Sequence, residues 1–379
     1  GGLEAAPARY AKPNLVFKVC GAVNGRSGSV NYDLLQLAQQ CTARRMIPTY
    51  LLMDSAPNRG CDPKKLNIMG CRTRVYDNVN GSVGTIGRGN IAYVSVNLPR
   101  IALISEGRPA FFRKLSQTMD ICCRLLELRN QWMVETKGRY VEFVWKEGLW
   151  TGISGLEELL KQGTYSIGFI GLAETVEILT GQKLHQSEVS RVLAEEIVRY
   201  MQKFVQEQRE RTGRTVSLLA TPGEMISGRF CELDRALCPS PLQDKGFYTN
   251  SFHVEVDAKI SPFQKLKLES TFHSLCNGGA ISYVECSSAL LGNTQAVADL
   301  IAYGTEIGIS YLGINFPLDI CRTCGQSGTF DRCPDCGSDQ ITRMRRVSGY
   351  LEDAAFFTNG KKQEILYRTA NLPFDGIDT

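Results

Sequence analysis

Histidine is scarce in this chain, three in 379 residues, and none of the three lies among the cysteines that crowd its C-terminal end. A metal site built there would have an all-sulfur shell. No apolar run is long enough to cross a bilayer, and no secretory pattern opens the sequence. One-sided charge is missing too. With 43 basic against 39 acidic residues the net charge is +4, and no basic block stands out, which argues against direct nucleic-acid binding. The most charged run, Gln206-Glu207-Gln208-Arg209-Glu210-Arg211, alternates in sign and reads as a solvated helix face. Internal repeats and low-complexity tracts are absent. What is abundant is cysteine. Fourteen of them, without a secretion signal, point to thiol and metal chemistry in a reducing compartment, hence a cytoplasmic location, rather than to a disulfide framework. A composition 43% hydrophobic and 9% aromatic predicts a large core.

Cys321, Cys324, Cys333 and Cys336 spell C-x2-C-x8-C-x2-C. Each C-x2-C makes a tight knuckle that turns two sulfurs toward one point, and two knuckles give the four-thiolate shell that zinc prefers. The link Gly325-Gln326-Ser327-Gly328-Thr329-Phe330-Asp331 is rich in turn formers. A shell closed by four sulfurs is structural, because a catalytic zinc keeps a position open for water. Four sulfurs would hold iron as well.

Strand-like runs recur at Asn14–Val19, Ile47–Met53, Ile91–Leu98, Ser166–Ile170, Ser217–Thr221, Ala280–Glu285 and Ile309–Asn315. Helical spacing marks Leu34–Ala38, Ala110–Leu128, Leu156–Leu160, Val189–Val205 and Thr294–Thr305. This alternation predicts an α/β fold with a largely parallel sheet under helical cover. Asp54–Asn90 has few periodic apolar positions and reads as a long excursion, which inside a compact domain is usually functional. The one boundary expected lies near Asp319–Cys321.

Ten residues past the last of the four cysteines comes Arg346-Val347-Ser348-Gly349-Tyr350-Leu351. On local composition Ser348-Gly349-Tyr350 is a turn. Glycine is also the only residue without a Cβ to hinder a planar radical at its Cα. With Phe356-Phe357-Thr358-Asn359-Gly360-Lys361-Lys362-Gln363-Glu364-Ile365 and Arg368 after it, this tail resembles that of the anaerobic (class III) ribonucleoside-triphosphate reductases, in which a zinc ribbon directly precedes the glycyl-radical loop. Met69-Gly70-Cys71-Arg72-Thr73-Arg74 is similar to the finger loop of that family, and Gly87-Arg88-Gly89-Asn90 with Val94–Ile101 to the strand after it. Further blocks in family order are Tyr165–Leu172, Thr221-Pro222-Gly223-Glu224, Tyr248–His253, His273–Gly279 and Ile281–Glu285.

The resemblance implies the C-terminal part of a ten-stranded α/β barrel of the glycyl-radical type. Its divisions would be a partial barrel over 1–318 with the finger near 54–90, a zinc ribbon over 319–343, and a radical loop and tail over 344–379. It further implies oxygen-sensitive reduction of ribonucleoside triphosphates, a radical S-adenosylmethionine activase, and formate or a thioredoxin-like protein as reductant. Relatives are longer on the N-terminal side and this chain opens on Gly1-Gly2, so it reads as a C-terminal portion, and the resemblance implies a homodimer with the missing N-terminal portion.

By the same resemblance Gly349 would carry the stable radical and Cys71 the transient thiyl. Taken alone, a cysteine in a Gly-Cys-Arg turn is as well a small buried hydrophobe. Asn90, ahead of Asn97, is the candidate amide for the ribose hydroxyls, and also an ordinary asparagine in a turn after glycine. Thr221, Gly223 and Glu224 form a strand-to-loop corner whose amides could meet substrate phosphates, while Glu224 could equally cap the next helix. His273, Asn277, Gly278 and Gly279 form a polar corner without an assigned role, and Cys276 and Cys286 read as buried spectators. Ser348 stands where relatives often carry cysteine, and Ala280 where some carry histidine.

Three rival readings remain at this level. A glycyl-radical lyase akin to pyruvate formate-lyase is disfavoured by the ribbon and by the single Cys71, since the one adjacent pair, Cys122-Cys123, falls in a helical pattern. A zinc-ribbon binding module fits poorly with near-neutral charge and a large upstream domain. An inactive fragment is the third.

Overall fold

The computed structural model describes residues 14–136, 146–147 and 155–372. The opening Gly1-Gly2 and the end of the tail lie outside the described residues.

Seven principal strands build one curved wall. They are β1 (Val16–Val19), β2 (Thr49–Leu52), β5 (Asn90–Asn97), β6 (Thr164–Ile170), β7 (Thr215–Ala220), β8 (Ser282–Glu285) and β9 (Tyr311–Asn315). One set runs β1-β2-β9-β8 and the other β5-β6-β7. Main-chain bonds from Gly278 N–H to Leu218 O at 2.8 Å and from Ala220 N–H to Gly279 O at 3.0 Å join the two. The pairs β1–β2, β8–β9, β5–β6 and β6–β7 are parallel, and the single antiparallel step is β2–β9. The largely parallel sheet is therefore present.

Side-chain alternation gives the wall two faces. Tyr165, Ile167 and Phe169 of β6, with Val216, Leu218 and Ala220 of β7, enter the main apolar core. Helices α3 (Gly107–Glu135), α5 (Leu172–Thr180) and α6 (Glu188–Thr212) supply the facing Phe111, Leu115, Val176, Leu193 and Ile197. The opposite face is polar. Ser166 bonds Ser217 at 2.9 Å and donates to Asn90 Oδ1 at 3.1 Å, and Ser95 bonds Thr221 at 2.8 Å.

Expected strand ends shift for local reasons. Pro48 has no amide hydrogen, and β2 starts after it at Thr49. Strand β5 stops at Asn97 because Asn97-Leu98-Pro99 starts a helix, α2 (Leu98–Leu103), with Pro in its first turn. The pair Cys122-Cys123 is buried in α3, as its helical pattern predicts.

Two short hairpins depart from this wall. The excursion after β2 carries β3 (Ile68–Met69) and β4 (Thr73–Arg74), joined by Gly70-Cys71-Arg72. Arg88 stitches the excursion down, donating to the carbonyls of Tyr76, Asp77, Gly84 and Gln162 at 2.7–3.0 Å. The second hairpin belongs to a four-stranded antiparallel sheet ordered β11-β10-β12-β13, made of β10 (Leu318–Cys321), β11 (Ser327–Gly328), β12 (Ile341–Arg346) and β13 (Leu351–Asp353). Since Arg346 pairs with Leu351, residues 347–350 are its tip. Strand β12 runs unbroken across 343–344, so the cysteine-rich segment and the loop with Gly349 share one sheet. Helix α10 (Asn359–Tyr367) follows.

Candidate active site

The two hairpin tips meet. A Cβ placed on Gly349 would fall 2.5 Å from Cys71 Sγ, 2.9 Å from Cys71 Cβ and 2.8 Å from Glu224 Oε1. Real Cβ atoms do not approach heavy atoms so closely, so only glycine fits at 349 with the tips in this arrangement. Both residues are buried.

Each tip has its own anchors, and Arg72 of the finger reaches across to the loop. On the finger side, Gly279 lets the hairpin seat: φ is +125° there, and a Cβ would lie 2.1 Å from Arg72 O. Arg74 N–H donates to Gly278 O at 2.8 Å, tying β4 to the wall. On the loop side three arginines hold the segment, Arg346 and Arg72 buried and Arg368 half-buried. Arg346 donates to Met46 O at 2.6 Å and Asn315 Oδ1 at 3.2 Å. Arg368 donates to Val347 O at 3.0 Å and pairs with Glu285 and Glu364. Arg72 donates to Ser348 O.

Around the thiol stand two polar groups. Glu224 Oε1 lies 4.0 Å from Cys71 Sγ, and its Oε2 pairs with Lys361 on α10. The helix after this corner, α7 (Ile226–Leu237), has Met225 at its N-cap with no side-chain cap bond, and the Glu224 carboxylate lies between Cys71 and Lys361. The Tyr350 hydroxyl shares a hydrogen bond with the Cys71 thiol, which chiefly pushes the phenol up to about 12.

The other expected residues divide. Thr221 is buried against Ser95 on the polar face. Gly223 has φ +60°, and a Cβ there would meet Asn250 Nδ2 at 2.6 Å. Asn90 lies at the start of β5 on the polar row, its Oδ1 taken by Ser166. Asn97 is committed to the fold at both ends of its amide: Oδ1 accepts from Arg100 N–H at 3.1 Å, and Nδ2 donates to both Asp234 oxygens at 3.1 Å. A substrate role for Asn97 finds no support in this geometry, and its Asn-Leu-Pro pattern already carried the helix-start signal.

The polar corner without a role proves structural. Asn277 Oδ1 accepts from Leu218 N–H at 3.0 Å, and His273 bridges Ser310 and Ser282 at 2.8 and 2.9 Å. Burial pushes the Cys276 and Cys286 thiols up, Cys286 to about 12, and both are poor nucleophiles. Sequence reasoning quoted Arg72, Tyr283, Tyr350 and Lys361 within motifs but gave them no role. Only the meeting of distant segments reveals one.

Upstream of the loop in sequence, the four cysteines gather. Their sulfurs all lie within 4.8 Å of one another, with Cys321–Cys336 at 3.5 Å and Cys324–Cys333 at 3.4 Å. A tetrahedron with metal–sulfur bonds of about 2.3 Å has edges of about 3.8 Å, so the set fits one metal ion with little adjustment. The knuckles match each other: Gly325 N–H bonds Cys321 O and Gly337 N–H bonds Cys333 O, both at 3.0 Å, with φ of +80° and +70° at the two glycines.

The wall, the cysteine finger and the opposing glycine hairpin together match the fold of solved enzymes. A solved glycyl radical enzyme from Archaeoglobus fulgidus shares the fold, with a TM-score of 0.62 at 12% identity over 94% of this chain and 53% of that one. A solved anaerobic ribonucleotide reductase superposes with a TM-score of 0.75 at 18% identity, over 96% of this chain and 55% of that one. In sequence, residues 4–370 match the family described as anaerobic ribonucleoside-triphosphate reductase. The reductase of that name from Salmonella typhimurium is 35% identical over 385 aligned residues, covering 95% of this chain and 53% of the relative. The chain belongs to the anaerobic ribonucleoside-triphosphate reductase family, and it spans about half the length of such relatives. Among the described residues no helix is long and apolar enough to cross a membrane.

Proposed function

We propose that this chain supplies the radical half of an anaerobic ribonucleotide reductase, reducing ribonucleoside triphosphates in the cytoplasm. The observation that carries the reading is the contact between the Gly349 and Cys71 positions, which leaves no room for a side chain between them. A radical S-adenosylmethionine activase would remove one hydrogen atom from Gly349 Cα. That radical then takes the hydrogen of the Cys71 thiol: the S–H bond breaks, a Cα–H bond forms, and the unpaired electron passes to sulfur. The thiyl would take the C3′ hydrogen of the ribose, the 2′-hydroxyl would leave as water after protonation, and the C3′ hydrogen would return from the thiol. Two electrons are needed per turnover, supplied by formate or a thioredoxin-like protein.

The residues present do the positioning. Tip-to-tip docking holds donor and acceptor in contact, and the buried surroundings keep water and oxygen from the radicals. Asn90 on the polar face is placed to bond ribose hydroxyls, and the amides of the Thr221–Glu224 corner to meet phosphates. Cys321, Cys324, Cys333 and Cys336 would hold zinc in a closed shell that anchors the loop and takes no part in the reaction. The N-terminal portion of the family, in a homodimer, would complete the barrel.

Electron paramagnetic resonance on anaerobic protein tests this, with activase, S-adenosylmethionine and reductant added, the N-terminal portion supplied in one arm, and Gly349→Ala alongside. A doublet that vanishes in the variant is expected. Silence in every arm overturns the proposal.

A further inference from the structure

Arg72 heads the fully buried side chains by volume among the described residues. Burying a guanidinium is costly unless its donors are met, and the usual answer is a carboxylate. Arg72 forms no ion pair with a carboxylate among the described residues. Its Nη2 donates instead to the carbonyl of Ser348. Its Nη1 lies 3.5 Å from both Asn250 Oδ1 and His253 Nε2. Burial holds His253 down to about 4, so its ring is neutral and its Nε2 can accept. The guanidinium also stacks 5.7 Å over the ring of Tyr283, whose hydroxyl lies 3.5 Å from the same Ser348 oxygen.

Two features of this placement are unusual together. Arg72 is the residue after Cys71, and Ser348 the residue before Gly349. The Ser348 carbonyl belongs to the peptide whose nitrogen is that of Gly349. We propose that Arg72 is a positioning residue that sets Gly349 in register with Cys71 and tunes the hydrogen-atom exchange between them. This rests on the radical reading above. A radical at Gly349 Cα is stabilised partly by the lone pair of that nitrogen. A cationic hydrogen bond to the Ser348 carbonyl draws the same lone pair into the amide. Less of it then reaches the radical, which brings the glycyl radical nearer in energy to the thiyl. The step remains Gly349 Cα radical plus Cys71 S–H giving Gly349 Cα–H plus Cys71 sulfur radical, balanced without another reagent.

The test has two arms. In the first, hydrogen exchange is followed by mass spectrometry on the unactivated, reduced chain, comparing wild type with Arg72→Gln, Arg72→Lys and Tyr283→Phe. Peptides over 347–351 are expected to exchange about tenfold faster in Arg72→Gln and less so in Arg72→Lys, with Tyr311–Asn315 unchanged. If the glutamine variant exchanges everywhere, Arg72→Lys and Tyr283→Phe decide, and both must accelerate 347–351 selectively. Wild-type exchange there in every folded variant overturns the positioning role. In the second arm, the activated protein is examined by paramagnetic resonance. Arg72→Gln is expected to narrow the α-proton splitting, because spin leaves Cα for the amide nitrogen, a change that a structural role alone would not make. An unchanged splitting in a signal of good yield overturns the tuning. Absence of any doublet in wild type counts against the functional reading itself, and the exchange arm still judges the positioning.

Discussion

Cys71 Sγ lies where the first side-chain atom of any residue other than glycine at position 349 would have to be, 2.5 Å from that Cβ position. The two residues sit on opposed hairpin tips, one from the excursion after β2 and one from the sheet that carries the cysteine cluster. Each tip has anchors of its own, and the bond from Arg72 to the Ser348 carbonyl joins the two.

Removing the sulfur alone separates radical storage from use. Cys71→Ala keeps every contact of the loop backbone, so the Gly349 doublet is expected to form, while deoxyribonucleotide production falls by about a thousandfold or more. Formation of product by this variant at near wild-type rate would exclude Cys71 as the thiyl.

Gly279→Ala attacks the seat of the finger. The new Cβ would lie 2.1 Å from Arg72 O at φ +125°, a conformation and a contact that backbone cannot relieve locally. A loss of about 3 kcal/mol or more is expected in denaturant unfolding. Gly181→Ala, at φ +75° with open space around it, should cost about 1 kcal/mol. Equal losses at the two sites would contradict a tight seat.

Glu174 gives a pH signature. Burial raises its carboxyl from 4.5 to about 7, against the lowering effect of the Thr249 N–H and hydroxyl, which bond Oε1 at 2.7 and 2.6 Å. With the folded value above the unfolded one, the folded state holds a proton that the unfolded chain releases. Its contribution is complete below about 4.5 and is lost as pH rises through 7, a change of about 3 kcal/mol at most. Glu174→Gln should flatten that part of the stability–pH curve. A curve of the same slope in both proteins would show that Glu174 does not titrate there.

The metal makes a third separable element. One zinc per chain is expected by elemental analysis, and its removal with a chelator should abolish radical formation without emptying the nucleotide site. The reason is the continuous β12, which leads from the second knuckle to the tip that carries Gly349. A normal radical yield after complete chelation would rule out the anchoring role.

Much of this was legible in the sequence because the signals were local. The knuckle spacing reported the cluster, and the strands at Thr164–Ile170 and Thr215–Ala220 stood out as runs bounded by helical patterns. Helix α8 (Pro262–Leu275) did not, because Lys265, Glu269 and His273 are buried in it as a bonded polar network, so no clean apolar stripe marks its inner face. Asn97 shows a second kind of limit, because the bonds of its amide to Asp234 and Arg100 join segments that are far apart or hidden in a helix start. The role of Arg72 could not be read at all, since it exists only where residues 72, 253, 283 and 348 converge.

The order of chain synthesis gives the shared sheet of cluster and Gly349 tip a further meaning. Cys71 precedes the four clustered cysteines in sequence, and they precede Gly349. A nascent chain therefore makes the Cys71 thiol before the glycine that faces it, and their contact forms only once β13 pairs with β12. On the proposed reading, the radical pair waits for the last strand among the described residues.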